Sequence, residues 1–489
     1  MDGATLDVLI VGAGISGISM AAHLQAMCPG RRFALVERRA NLGGTWDLFR
    51  YPGVRSDSDM HSLGFRFAPW DGDQAIAGGD AIRAYLHRVA TERGIDRHIR
   101  FGTRVLSADW CADEALWRVT VEDGDGWHEL TARFLYLASG YYDYDDPHDA
   151  GLPGLADFGG QVVHPQFWPA DLDWAGKQVV VIGSGATAVT IVPAMADKAA
   201  HVTMLQRTPT WMAAGPSRDE WANRMRRWLP RRLAYWLTRQ KNIRLHQFFF
   251  KRARQRPDEV GDYLTGKLKE ELGEAYKREH FLPPYGPWQQ RLCLVPDSDF
   301  FAAVKAGKAS VVTGQIDRFE ADGLRLKSGR RLPADVVVTA TGLRLALGGK
   351  IAVSLEGRPV DWTRHWFYRG AMFSNIPNLA VVFGYLNASW TLRADNTAEY
   401  VCRVLNRMAD KRADVVTPWL PEDHGLEESD IVVFSSGYLQ RARNLMPKSA
   451  PTLPWRLNQD YLADCRDFRR RPVDDGVLRF EKRPVRTAA

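Results

Sequence analysis

Cysteine is scarce in this chain: among 489 residues there are five, Cys28, Cys111, Cys293, Cys402 and Cys465. They lie far apart and form no C-x-x-C, which argues against a structural zinc site, a redox dithiol and a disulfide framework, and favours a reducing cytosol. Long apolar runs are also missing. No stretch reaches about 18 uninterrupted apolar residues, so no bilayer-spanning helix is expected. Near the N-terminus stand Asp2 and Asp7, where a secretory signal would carry Lys or Arg. There is no G-x-S-x-G elbow, no H-E-x-x-H and no Walker loop, so hydrolase, zincin and P-loop readings lack their residues. The expectation is a soluble, unprocessed, cytoplasmic protein without a metal.

What is present fits a folded chain of about three domains. Hydrophobic residues make up 45% and charged residues 25%, an ordinary globular balance. Seventeen Trp, fifteen Tyr and twenty-one Phe suit planar cofactors or apolar ligands. The net charge is +7, but between Arg218 and Arg256 thirteen Lys or Arg face two acids, Asp219 and Glu220. That segment alone carries +11 and leaves the remainder at −4. One segment makes the protein basic.

The first chemistry-bearing stretch is a strand-type run, Leu6–Val11, entering Gly12-Ala13-Gly14-Ile15-Ser16-Gly17 and then a helical pattern through Met20, Leu24 and Met27. In a strand, G-x-G-x-x-G turn and helix start, the glycines let the backbone approach a pyrophosphate at the positive end of the helix. A second strand, Phe33–Val36, ends in Glu37. A carboxylate there accepts from ribose hydroxyls and repels a 2′-phosphate. The same grammar returns 171 residues later: Gln178–Ile182 leads into Gly183-Ser184-Gly185-Ala186-Thr187-Ala188, and Val202–Leu205 closes on Gln206-Arg207-Thr208. Here Ala188 replaces the third glycine and Arg207 replaces the acid, so the guanidinium suits the 2′-phosphate of NADPH. The alternative is a solvated strand-end arginine.

An unphosphorylated ribose at one turn and a phosphorylated one at the other imply two cofactors, FAD at the first and NADPH at the second. Phe134–Ala138 before Ser139-Gly140, and Val336–Ala340 before Thr341-Gly342, mark the crossings between domains. The fold expected is α/β, with two dinucleotide-binding (Rossmann-like) domains, the NADPH domain inserted in the FAD domain, and a helical insertion. The boundaries are 1–148 and 340–489 for FAD, 160–212 and 288–338 for NADPH, and 213–287 for the insertion. In the insertion Trp221, Met225, Trp228, Leu229, Leu233, Trp236 and Leu237 recur three or four residues apart, and Pro230 is expected to break or kink the helix. Two readings compete for residues 218–256. In the favoured one, the Trp/Leu face packs on the NADPH domain and the arginines are solvated; in the other, the segment makes peripheral contact with an anionic membrane. Nucleic-acid binding has no recognition module to support it.

Two longer motifs narrow the class. Residues 158–169 match F-x-G-x-x-x-H-x-x-x-W-P through Phe158, Gly160, His164, Trp168 and Pro169. Gly43-Gly44-Thr45-Trp46, Tyr51-Pro52-Gly53 and Asp57 match G-G-x-W-x-x-x-x-Y-P-G-x-x-x-D. Together they resemble the fingerprints of type I Baeyer–Villiger monooxygenases. Gly43–Phe67, Val180–Arg207, Tyr285–Asp297, Asn387–Asp395 and Pro454–Tyr461 look most like the ethionamide-activating flavin monooxygenase branch.

The resemblance implies a flavin that NADPH reduces and dioxygen converts to a C4a-peroxide, which attacks a ketone to give an ester or lactone. Sulfoxidation is implied beside it. The family's active-site arginine falls on Arg291 and its partner acid on Asp57; a plain interdomain salt bridge is the competing reading of that pair. His164 and Trp168 are implied as domain-coupling residues; a histidine capping backbone groups in a linker is the competing reading of His164. Gly12, Gly14, Ser16, Gly17, Glu37, Gly44, Thr45, Trp46, Arg55, Ser56, Asp57 and Val105 are cofactor-binding candidates on the flavin side. On the nicotinamide side they are Gly183, Ser184, Gly185, Ala186, Thr187, Ala188, Arg207 and Thr208. Gln290 stands where some relatives carry a Lys for the 2′-phosphate. Two other functions compete with ketone oxidation: a heteroatom monooxygenase acting on amines, sulfides or thioamides, and a membrane-associated flavin redox sensor with little turnover.

Overall fold

The computed structural model describes residues 4–430 and 437–483. The run Leu6–Val11 forms the middle of a nine-stranded sheet, pairing in parallel with Phe33–Val36 on one side and Gly126–Leu137 on the other. All of its residues but Asp7 are apolar and buried, as a strand covered on both faces requires. Arg104–Cys111 and Leu116–Asp123 extend the sheet as an antiparallel meander. Ala352–Leu355, Arg358–Pro359 and Leu379–Val381 join it from late in the sequence. The sheet is therefore assembled from residues 6–137 and 352–381.

A second sheet has five strands, all parallel, in the order Ala309–Thr313, His201–Gln206, Gln178–Ile182, Val336–Thr339, Gln161–Val163. Its strands come only from residues 161–206 and 309–339. Between the sheets the chain crosses twice, and the two crossings run side by side. Tyr142 bridges Leu345, the Asp143 amide donates to the Arg344 carbonyl, and the Lys350 ammonium lies 2.6 Å from Asp143 and 2.7 Å from Asp146.

Residues 213–287 are largely helical, with helices Glu220–Trp228, Arg231–Gln255 and Pro257–Leu272. Pro230 stands between the first two, where its missing N–H and ring end one helix and start the next. The packing of this segment differs from the favoured expectation. The inner face of Arg231–Gln255 consists of Tyr235, Thr238, Arg239 and Ile243, and Tyr235 joins the core of the N-terminal sheet. Leu268 and Leu272 of the following helix reach the second sheet's core. Trp228, Leu233 and Trp236 pack on neither; they are exposed. The three- and four-residue spacing did not identify the buried face, because Arg239 rather than the Trp/Leu set meets the protein there.

What fastens the insertion is a buried charge. Arg239 donates to the carbonyls of His61 (2.7 Å), Ser62 (3.1 Å) and Gly64 (2.7 Å), closing the C-terminal end of the short helix Met60–Leu63. Its second nitrogen is 3.6 Å from Asp395 on the helix Trp390–Lys411. Asp395 also accepts from Ser19 Oγ at 2.7 Å and from the Arg66 amide at 3.1 Å, with His23 at 3.6 Å. Burial would raise this carboxyl, but the His23, Arg239 and Ser19 contacts outweigh it and hold it at about 2. One carboxylate thus links the nucleotide helix Ile15–Met27, its own helix Trp390–Lys411 and the insertion.

Replacing Asp395 with Asn would leave Arg239 buried without its counter-charge, at a cost of about 3–5 kcal/mol, read as a fall in the thermal midpoint. Because folding depresses this pKa from about 3.9, its contribution is complete above that value. It is lost as the pH falls toward 2, so the wild-type and variant melting curves should converge in acid.

Candidate functional site

Each glycine turn is held by a close backbone approach. Gly12 has φ +105°, and a Cβ there would stand 2.7 Å from the Ala138 carbonyl oxygen; at Gly183, with φ +138°, it would stand 2.3 Å from that of Ala340. Only glycine satisfies both conditions. The strand ends Ala138 and Ala340 are thus the floors of two equivalent turns. Gly17 is needed for the same reason: a methyl there would meet the Gly12 carbonyl at 1.9 Å. Gly14 packs on Gly44, where a Cβ would come within 3.5 Å of the opposing Cα, and the Gly43 amide donates to Ala13 at 3.1 Å. The first turn and the G-G-x-W motif are therefore a single unit.

The two turns open on one continuous cavity of about 1060 Å³. At the first end its wall holds Gly12, Gly14, Ser16, Glu37, Gly44, Thr45, Trp46 and Val105. Glu37 is 5% exposed; it accepts the Ala13 amide at 2.9 Å and the Arg39 amide at 3.0 Å. Burial raises its pKa, and those two amides pull the other way. At the other end the wall holds Gly183, Ser184, Gly185, Ala186, Thr187, Arg207 and Thr208. Ser184 Oγ donates to the Thr208 carbonyl at 3.1 Å, tying the turn to the tip that carries Arg207. Arg207 is exposed and makes no ion pair among the described residues. Gly17 and Ala188 are buried behind the wall rather than on it.

Between the ends stand Arg55, Ser56, Asp57 and Arg291. Arg291, on the stretch that returns to the second sheet, lies 3.6 Å from Asp57 on the first unit's loop. Arg55 forms an ion pair with Asp299 at the start of the helix Asp299–Lys305. Ser56 is fixed by its backbone, whose amide donates to Ala77 at 2.9 Å. Tyr51 from the same loop reaches Thr187 on the second nucleotide helix; burial pushes its hydroxyl pKa up, and so does the charge of Asp57. The Y-P-G loop is therefore the physical contact between the two nucleotide units.

Several wall residues escaped the sequence reading. Tyr141 stacks on Trp390 with ring centres 4.9 Å apart and planes at 11°. The Trp390 indole donates to Ser16 Oγ at 2.8 Å. Burial holds the Tyr141 phenol protonated, with Tyr142, Arg291 and Asp57 close enough to act on it. Trp390 lies within Asn387–Asp395, a stretch already marked by resemblance, so its position was accessible; its partner was not. Lys327 is on the wall beside Gly314 and Gln315, and Gly314 donates to Gln206, next to Arg207. Nothing local marks Lys327, because only the pairing of two distant strands brings it there.

His164 and Trp168 do not line the cavity. His164 Nδ1 accepts the Gln166 amide at 3.2 Å, opening the short turn Pro165–Phe167. Burial lowers its pKa, partly offset by the backbone of Gly342 at the second crossing. Gln166 donates to the Asp143 carbonyl at 2.8 Å, and Trp168 packs edge-on against Trp174. His164 therefore belongs to the crossing region, whereas Trp168 packs against the core of the second sheet.

Two points test whether a dinucleotide fits. Ser139 Oγ and Thr341 Oγ1, at the two crossings, are buried on the cavity wall with no hydrogen-bond partner among the described residues, which suits them to a ligand. At Gly44, with φ +56°, a Cβ would stand 3.2 Å from the Gly14 Cα, so the two bare glycines lie in close backbone contact on the cavity wall. Cys293 is the only cysteine on the wall among the described residues, and burial pushes its thiol up to about 12. No group of residues able to hold a metal ion is found among the described residues.

Two glycine-turn nucleotide folds sharing one cavity, without a dithiol, define a flavoprotein oxidoreductase of the two-dinucleotide type. Residues 9–247 match the family described as pyridine nucleotide-disulphide oxidoreductase. The chain is 50% identical over 482 residues to the FAD-containing monooxygenase EthA of Mycobacterium tuberculosis, covering 98% of each. It is 45% identical to the probable FAD-binding monooxygenase AlmA of Acinetobacter baylyi, covering 98% of this chain and 96% of that one. The chain therefore belongs to the EthA-type FAD-containing monooxygenases. Its fold is also that of a steroid monooxygenase bound to NADP (TM-score 0.76, 21% identity, 98% and 100% coverage). A cyclohexanone monooxygenase from Rhodococcus sp. Phi1 bound to NADP+ shares it too (TM-score 0.71, 23% identity, 86% and 87% coverage).

Changing Gly12 to Ala would drive a methyl into the Ala138 carbonyl and displace the first turn. The purified variant should be colourless, with its visible flavin absorbance lost while the second sheet stays folded by circular dichroism.

Proposed function

We propose that the chain is an NADPH- and O2-dependent Baeyer–Villiger monooxygenase that converts ketones to esters or lactones and also oxygenates sulfur. The observation that carries this reading is the placement of Arg291 beside Asp57 on the wall of the cavity that both glycine turns share. When bound at the Gly12 end, FAD supplies the redox chemistry, passing electrons from the nicotinamide to dioxygen.

The chain's own residues do the rest. Glu37 selects a free ribose at the first cradle, while Arg207, with Thr208 and Lys327, forms a cationic end suited to a 2′-phosphate. Lys327 offsets the absence of a Lys at Gln290. Arg291 keeps its charge at any working pH, and Asp57 limits where the guanidinium can point. A fixed cation there stabilises negative oxygen as it develops on a carbonyl under attack, without the reorganisation water would need. Tyr141, Trp390 and Trp46 line the wall with ring faces and keep water from the same space. His164, at the crossing, is suited to transmit domain movement rather than protons.

A heteroatom monooxygenase is the second reading, since half-identity to EthA leaves the acceptor atom undetermined. Product analysis of the purified flavoprotein with NADPH, using a panel of linear, cyclic and aryl ketones beside sulfides, separates the two. Ester formation is expected. Sulfoxide without ester from any ketone would overturn the Baeyer–Villiger assignment.

Arg291→Ala should still allow NADPH to reduce the flavin in stopped flow, while ester formation falls by about a hundredfold or more. Normal ester yield would remove Arg291 from the chemistry. Arg207→Ala should raise the KM for NADPH by about tenfold or more, with the KM for NADH nearly unchanged.

A further inference from the structure

The helices Glu220–Trp228 and Arg231–Gln255 expose apolar side chains that a soluble helix normally buries. Trp228 is 79% exposed, Phe248 60%, Trp236 52% and Leu245 50%; Phe249 and Leu233 are also exposed. The long helix is seated by its opposite side, through Tyr235, Arg239 and Ile243, so the exposed side chains are not waiting for the core. A contiguous patch of this kind marks a contact surface.

Its charges are as distinctive as its rings. Arg224, Arg227, Arg232, Arg244 and Arg254 make no ion pair among the described residues. The two acids of the segment are not interspersed with them. Asp219 caps the first helix and is engaged by Lys241 at 2.9 Å, and Glu220 stands in its first turn. Along the long helix Arg232, Leu233, Trp236, Arg244, Leu245, Phe248 and Lys251 are exposed, with Leu237 half-buried among them, so apolar and cationic groups are mixed along its outward ridge.

We propose that this ridge docks on an anionic lipid bilayer. Trp and Phe insert at the boundary of headgroups and acyl chains, and the flanking guanidiniums meet lipid phosphates. The core of a protein interface is depleted in charge, whereas here cations stand among the rings. A single-stranded nucleic acid stacks on aromatic faces, and Leu233, Leu237 and Leu245 offer none. The same helix touches the region of Arg291 from within: His246 and Phe250 pack edge-on against Trp288 at 5.4 Å each. The ridge does not depend on the reaction proposed above, and neither does its test.

The experiment is flotation of the purified flavin-loaded protein with vesicles. Phosphatidylcholine vesicles are compared with vesicles containing phosphatidylglycerol. The protein should float with the anionic vesicles, remain below with neutral ones, and be released by high salt. Trp228→Ser combined with Trp236→Ser should lower the floating fraction by about tenfold, with flavin absorbance and thermal midpoint unchanged because both side chains already face solvent. Arg232→Glu combined with Arg244→Glu should do the same. Failure of the wild-type protein to float, or equal flotation of both double variants, would overturn the proposal. So would concentration-dependent self-association without vesicles that the tryptophan variant abolishes, or retention on single-stranded DNA in place of vesicles.

Discussion

Both nucleotide cradles depend on the same constraint: a strand end whose carbonyl lies where a side chain on the opposing turn would have to be. Ala138 imposes it on Gly12, and Ala340 imposes it on Gly183. The carbonyls belong to the two crossings, so the geometry of each cradle is coupled to the path the chain takes between its sheets. This coupling places Ser139 and Thr341, each following one of those alanines, on the wall of a shared cavity. A cradle on an independent domain would not have brought its neighbour's crossing so close.

The groups between the cradles come from both units. Asp57 and Tyr51 belong to the first unit's loop, and Arg291 and Thr187 to the second. A small rotation about the paired crossings would change the Arg291–Asp57 distance and the Tyr51–Thr187 contact together. His164 and Gln166 lie beside the paired crossings, so the histidine of the F-x-G-x-x-x-H-x-x-x-W-P motif sits at the junction of the two units, although none of the motif's named residues lines the cavity. The Asp395 hub ties the insertion to the helices Ile15–Met27 and Trp390–Lys411 of the first unit.

The basic segment shows how a sequence pattern can be read correctly as helix and wrongly as core. Trp221 through Leu237 have helical spacing, and the helices are there. Spacing does not identify the side that meets the protein, because an arginine can be buried when it has enough carbonyls to donate to. Arg239 has three, plus Asp395. Burying that one cation seats the helix with Trp236 facing outward.

The amino-acid sequence alone determined the two glycine turns, the acid and the arginine at their strand tips, and the residues of both fingerprints, because each follows from local backbone geometry or short spacing. It also indicated which residues to pair, Asp57 with Arg291, though only by resemblance. Tertiary structure alone decided that both turns open on one cavity, that Tyr141 stacks on Trp390, and that Lys327 stands on the same wall as Arg207. It also decided which face of the basic helices is buried. These outcomes rest on contacts between segments far apart in the chain, where strand pairing and the desolvation of one buried charge, rather than any local pattern, set the arrangement.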